Sequence, residues 1–485
     1  MNAVRPVELN ATLIEHDGAA AGPAAQQAMF SHCAAPLYVS GRALRQPGPL
    51  PKRHSAVGSA AFGRVGVAQV RELFTPSAPH RPTGSARVCR RTLAAAGLVT
   101  VTVLTACSAG APASWEASTP ASATSSPATS TATVTPTLVP TPTCSNGRML
   151  STWSIPRLAE QVMIVPVQED SVESATAQVA AGAGGVILFG NAAPANLAES
   201  LSRLRKAALG GVWPMVVVDE EGGAVQRMAN LVGPVPSARQ MGATRSPAQI
   251  TRIAALLGQR LLALGVTVDL APVLDADGRP GPSEENPIGS RSFSADPSVA
   301  AADGLAFDAG LQSSGVLAVV KHFPGLGGAS GNSDLEPSST LPWPTLQRSG
   351  LLPFVVATQA HVPAVMVANA SVPGLTTLPA SISAAVITGV LRGQLHFSGL
   401  VVTDSMSAAA LSRTGYSVPA ASTAAVAAGA DMILFNASLA AMPGLARQTV
   451  LALVSAVDRG TVGRSRLIDA VAHVLSAKNI DLCAS

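Results

Sequence analysis

Short apolar runs recur through the last two thirds of the chain, with longer Ala-rich stretches between them. They fall at 161–167, 185–189, 215–219, 266–272, 316–322, 364–369, 399–404 and 431–435. Most of their residues are apolar and many are β-branched, which is how strands buried on both faces read. The stretches between them have helical length, 247–264 and 297–313 among them. Strands alternating with helices from residue 150 onward predict an α/β fold, a (β/α)8 TIM barrel. A doubly wound open sheet is the main alternative, but it usually has fewer strands.

Polar residues gather where these runs end. Asp219, Glu220, Glu221, Asp275, Lys321, His322, Asn369, Asp404 and Asn436 each follow an apolar run. Barrel chemistry sits at the C-terminal ends of the strands. A single acid at a strand end is equally well a cap for the next helix. Several converging on one rim are harder to explain that way.

The front of the chain reads differently. Residues 92–106, TLAAAGLVTVTVLTA, form an apolar run too short for a comfortable membrane span. It follows Arg90 and Arg91 and ends in Leu104-Thr105-Ala106-Cys107. A basic start, a short apolar stretch and small residues before a cut site predict a signal peptide over 88–107. Leu-Thr-Ala-Cys resembles the bacterial lipobox, which implies lipidation of Cys107. An ordinary signal peptide or a short anchor is the plainer reading. Translation is expected to start near Val88, leaving residues 1–87 as a disordered or mis-assigned extension. Residues 108–145 are rich in Ser, Thr and Pro, too polar to offset ordering entropy, and are expected to be a flexible tether. The folded domain is expected over 146–485.

Composition narrows the classes. Of 485 residues, 47% are hydrophobic, enough for a large core, and 12% are charged, with a net charge of +4. The basic excess lies in the first 91 residues, before the apolar run, so it suggests targeting and no nucleic-acid partner. The five cysteines (33, 89, 107, 144 and 483) form no CxxC pair, and no metal or cofactor is expected. Cys144 and Cys483 flank the folded part. An exported barrel with neighbouring termini could bridge them, or both could stay unpaired.

Four stretches carry the chemistry: VVVDEEGGAVQRM (216–228), NPIGSRSFSADP (286–297), VVKHFPGLGGASGNSD (319–334) and LVVTDSMSAAAL (400–411). Together they resemble glycoside hydrolase family 3, in particular its single-barrel β-N-acetylglucosaminidases, and are most similar to the exported lipoprotein members. The KHFPG stretch is the most specific. The resemblance implies that Asp404 is the nucleophile of a retaining hydrolase. It also implies that Asp219, Arg227, Arg291, Lys321 and His322 surround the sugar. Retaining hydrolysis needs such a carboxylate beneath the anomeric carbon and a proton donor beside the leaving oxygen. Plainer alternatives are a helix N-cap on 405–411 for Asp404, and structural ion pairs for Asp219, Arg227 and Arg291.

One loop departs from the family. There it ordinarily reads KHFPGHG and ends with an aspartate and, two residues on, the histidine acid/base. Here Leu326, Asn332 and Asp334 occupy those three positions. Asp334 is expected to donate the proton instead if burial or the Asp404 charge raises its pKa. Glu336 is a second candidate, and the glycine-rich run 325–331 is expected to be mobile enough to bring either in. The resulting expectation is a retaining exo-β-N-acetylglucosaminidase, monomeric, exported and lipid-anchored facing the cell wall. It would act on N-acetylglucosamine-containing glycans. The alternative is an impaired relative that binds sugar at the cell envelope.

Overall fold

The computed structural model describes residues 145–484. The expectations for the leader, the signal peptide with Cys107, the tether and Cys144 lie outside the described residues. Cys483 is disulfide-bonded.

Each of the eight apolar runs carries parallel strand. The strands are β1 (Met163–Gln168), β2 (Gly185–Phe189), β3 (Met215–Val218), β4 (Val268–Asp269), β5 (Leu317–Ala318), β6 (Val320–Phe323), β7 (Ser338–Ser339), β8 (Ala364–Val367), β9 (Ala370–Ser371), β10 (Leu400–Thr403) and β11 (Ile433–Leu434). The first run starts later than its apolar pattern suggests. Gln161 closes the helix Ile155–Gln161, and its amide donates to the Gly182 carbonyl at 2.6 Å.

One sheet runs β11-β1-β2-β3-β4-β5 and a second runs β10-β8-β6, all parallel. β5 and β6 lie on one stretch of chain, which passes from the first sheet to the second. Parallel bridges Val273–Lys321 and Val402–Met432 also join the two sheets. The short pair β7 and β9 lies outside them.

Side chains on these strands alternate between two cores. Ile164, Ile187, Val217, Met366, Leu400 and Val402 pack strand against strand. Their neighbours Val165, Val186, Val218, Val365 and Val401 pack against helices. Both faces are therefore dry, which accounts for continuous apolar runs in place of polar alternation.

The two predicted long helices occur with the predicted bounds. Pro247–Leu264 begins with a capping box between Ser246 and Gln249, and Gly265 ends it at φ 90°. Pro297–Ser313 begins at Asp296, whose carboxylate accepts from Ser298 N. Proline at the first position of each costs no hydrogen bond. Among the described residues, no helix is long and apolar enough to cross a membrane.

Candidate active site

Lys321 anchors the centre of the site. It comes from β6 with its side chain only 2% exposed, and its ammonium contacts Asp219 Oδ1 at 2.6 Å and Glu221 Oε1 at 2.7 Å. Arg291 grips the same Glu221 with two hydrogen bonds of 2.8 Å, from Nε and Nη2. Its Nη1 also donates to Pro287 O at 2.9 Å. Burial pushes the Lys321 pKa down, but the two carboxylates outweigh it and the pKa is raised. Burial likewise pushes Glu221 up, and Arg291 and Lys321 overcome this to hold it ionised. Two cations and two anions thus balance within one buried network, which is what makes such charges tolerable.

The adjacent His322 is held from both sides. Its Nδ1 lies 2.6 Å from Asp275 Oδ2, and its Nε2 lies 3.4 Å from Arg291 Nη2. A guanidinium only donates, so Nε2 accepts and Nδ1–H points at Asp275. His322 is therefore oriented by Asp275 on one side and Arg291 on the other. Asp275 also accepts from the backbone N–H groups of His322, at 3.2 Å, and Leu326, at 2.6 Å.

The glycine-rich run after β6 is packed, which corrects the expectation of mobility. Residues 325–327 are buried. Leu326 is 3% exposed, in an apolar cluster with Val273, Ile288, Ala329, Ala368 and Ala370. Gly325 has φ 125°, and a Cβ there would meet the Gly350 carbonyl oxygen at 2.6 Å. A Cβ at Gly327 would collide with the backbone of Ala276. Glycine serves close approach here, with no looseness implied.

Asp404 follows β10. Its Oδ1 accepts from Ser405 N at 2.7 Å, and its own N–H donates to Val367 O at 3.0 Å. Asn369, buried after β8, steadies the next residue by donating to Ser405 O at 2.7 Å, while Ser381 Oγ donates to Asn369 Oδ1 at 2.6 Å. The helix-cap alternative for Asp404 does not hold, because the next helix is Ala409–Ser412, capped at Ala408.

Asp334 meets this region from the facing loop. Ala409 N donates to Asp334 O at 3.3 Å and Ala410 N donates to Ser333 O at 3.0 Å. Asn332 Oδ1 accepts from Asp334 N at 3.0 Å, so the side chain in the family's aspartate position shapes backbone here. Desolvation, then the Asp404 charge, pushes the Asp334 pKa up to about 6, against weaker opposition from Arg291 and His322. The residue is exposed.

Arg227 and Glu336 are not hydrogen-bonded to this network among the described residues. The Arg227 guanidinium makes no hydrogen bond to Asp219, Lys321, Arg291 or His322, and its Nε is buried without a partner. Glu220 holds the backbone of this turn. Its carboxylate accepts from Arg227 N at 2.7 Å, Met228 N at 3.2 Å and Gln226 Nε2 at 2.8 Å, which fixes the turn that carries Arg227. Glu336 is exposed and lies over Gly331, where a Cβ would meet its Oε1 at 2.6 Å.

The model of the glycosyl hydrolase family 3 N-terminal domain matches residues 158–477. The chain belongs to glycosyl hydrolase family 3. Within the family it is similar to beta-hexosaminidase LpqI of Mycobacterium tuberculosis, being 39% identical over 267 residues that cover 52% of this chain and 68% of that protein. The solved structure of M. tuberculosis LpqI aligns with TM-score 0.62 at 32% identity, covering 69% of this chain and 96% of that one. A beta-N-acetylhexosaminidase from Beutenbergia cavernae also aligns with TM-score 0.62, at 30% identity, covering 68% of this chain and 99% of that one.

As a family 3 glycoside hydrolase, the chain has two further site residues whose roles sequence reading missed. Glu221 bridges Lys321 and Arg291, and Asp275 orients His322. Both stood at strand ends beside apolar runs. That was the available signal, but it did not say which of three consecutive acids faces inward.

Proposed function

We propose that this protein is a retaining β-N-acetylhexosaminidase in which Asp404 is the nucleophile and Asp334 the acid/base. The observation that carries the reading is the pairing of these carboxylates on loops tied together by backbone hydrogen bonds, beside the Asp219–Lys321–Glu221–Arg291 network. Its two sheets are read as one closed (β/α)8 barrel, with the site at the C-terminal ends of the strands.

In the first step Asp404 Oδ2 attacks the anomeric carbon as the bond to the leaving oxygen breaks. That oxygen takes the Asp334 proton. In the second step water attacks the same carbon, gives its proton to the Asp334 carboxylate, and releases Asp404. The Asp404 charge that raises the Asp334 pKa also keeps that proton in place until transfer. Asp219, an anionic acceptor with a partly exposed side chain, suits sugar hydroxyl groups. Lys321, Arg291 and His322 are structural partners of Glu221 and Asp275 that also face the sugar. Arg227, whose buried Nε lacks a partner among the described residues, is read as a further donor to the sugar.

The names of the relatives support N-acetylhexosamine as the sugar. The lipobox-like Leu-Thr-Ala-Cys107 supports an exported, lipid-anchored enzyme acting on envelope glycans. The test is hydrolysis of aryl β-N-acetylglucosaminide against aryl β-glucoside, with the anomer of the first-formed product read by NMR. Faster cleavage of the acetylated sugar with retained configuration supports the reading. Inversion, or preference for the plain glucoside, overturns it.

The loss of the family's loop histidine at position 334 favours a second reading, sugar binding without turnover. It predicts measurable binding of N-acetylglucosamine with hydrolysis no faster than that of Asp404→Ala.

A further inference from the structure

At the other end of the strands lies a cavity of about 550 Å³. Met215, Val268, Leu317 and Leu400, at the N-terminal ends of β3, β4, β5 and β10, line its floor. It is therefore remote from Asp404 and Asp334, which follow strands at their C-terminal ends.

The rim is chemically unusual. Four histidines lie among the described residues, His322, His361, His396 and His473, and all but His322 line this cavity. Lys478 joins them, and no aspartate or glutamate does. Two acids outside the lining contact His473 Nδ1, Asp431 at 3.2 Å and Asp469 at 4.0 Å, and Arg392 and Arg466 already hold Asp431 at 2.6 and 2.7 Å. Among the described residues Lys478 has one hydrogen-bond partner, the neutral Gln161 Oε1 at 3.2 Å, and burial pushes its pKa down to about 7.

The backbone singles out the same place. Among the described residues, three that are not glycine have positive φ: His361 at 57°, His396 at 52° and Asn479 at 53°. All three line this cavity. Each follows the end of a helix, Leu352–Gln359, Ala385–Gln394 and Arg464–Ala477 respectively. Elsewhere glycine takes the left-handed position after a helix, as at Gly182, Gly265 and Gly429. Histidine and asparagine are the less strained of the alternatives, but glycine is freer still. Three departures from glycine, all turned toward one cavity, indicate side chains kept for what they contact.

We propose that this cavity is a second binding site, for a small organic anion whose phosphate or carboxylate is held by Lys478 and the three histidines. Several donors in a lining without a carboxylate suit an anion, and the apolar floor suits the body that carries it. A bound anion would restore the charge of Lys478.

The test is calorimetric titration of the full chain with inorganic phosphate and, separately, with benzoate. Saturable binding of at least one is expected, weakened about tenfold or more by Lys478→Met and by His361→Gly. Hydrolysis of an aryl N-acetyl-β-glucosaminide should be unchanged in both variants. Binding of phosphate alone would assign a phosphate-bearing ligand, and binding of benzoate alone a carboxylate on an apolar body. His361→Gly relieves a left-handed backbone, so its melting temperature should hold or rise, which separates lost binding from lost folding. The proposal is overturned if neither anion binds, if binding is unchanged in both variants, or if the bound anion competes with the glycoside.

Discussion

The N–H of Ala409 donates to the carbonyl of Asp334 at 3.3 Å. This bond joins the loop after β6 to the segment that begins with Asp404. The two segments that carry these carboxylates are therefore tied together by main chain. Replacing Asp334 with Asn keeps the backbone and removes the proton. The account predicts that Asp334→Asn lowers kcat/KM by about 10²–10⁴-fold on glycosides with poor leaving groups and far less on nitrophenyl glycosides. Steady-state kinetics on both substrate types checks this.

The raised pKa of Asp334 sets a pH limit. Its proton is present below about 6 and lost above it, so kcat/KM should fall as pH rises through about 6. A pH–rate profile of the parent protein and of Asp334→Asn tests the assignment, since the variant should lack that limb on an activated substrate.

The same shift has a stability consequence with a definite sign. The folded-state pKa of Asp334 lies above its ordinary value of 3.8, so folding favours the protonated form. That contribution is complete below 3.8 and is lost as pH rises through about 6. Asp334→Asn, which cannot ionise, should therefore gain in melting temperature relative to the parent at pH 8 compared with pH 4. Thermal melts at the two pH values check it.

Glu221 neutralises two buried cations at once. Glu221→Gln leaves Lys321 and Arg291 undercompensated and should cost about 3–5 kcal/mol, measured by denaturant unfolding. An unchanged midpoint would mean that Asp219 alone balances the network.

Leu326 stands where the family has a histidine, and here it is core. Leu326→Ala should cost about 2–5 kcal/mol in the same unfolding assay, through lost burial and the cavity left behind. Leu326→His should also destabilise and should not raise activity, because an imidazole there would sit among Val273, Ile288 and Ala368.

Much of this was legible from sequence, for physical reasons. Burial on both faces leaves an uninterrupted apolar run, so every main strand was visible. Ser246-Pro247 with Gly265, and Asp296-Pro297, are local cap signals, so two long helices could be bounded. What stayed hidden depends on long-range geometry. Asp275 meets His322 across 47 positions of chain. Glu220 and Glu221 are adjacent in sequence yet turn to opposite tasks, one holding a backbone turn and the other two cations. The motif that carries Arg227 did not reveal that Glu220 holds its backbone turn. The glycine run looked mobile because composition does not reveal that Ala276 and Gly350 press against it.

The measurement that bears most directly on the central claim is hydrolysis of an activated aryl N-acetyl-β-glucosaminide by the full chain and by Asp404→Ala, Asp334→Ala and Glu336→Ala. The account predicts turnover that is abolished in Asp404→Ala, reduced in Asp334→Ala and retained in Glu336→Ala. Turnover no higher than that of Asp404→Ala, or an Asp334→Ala variant as fast as the parent while Glu336→Ala fails, would contradict it.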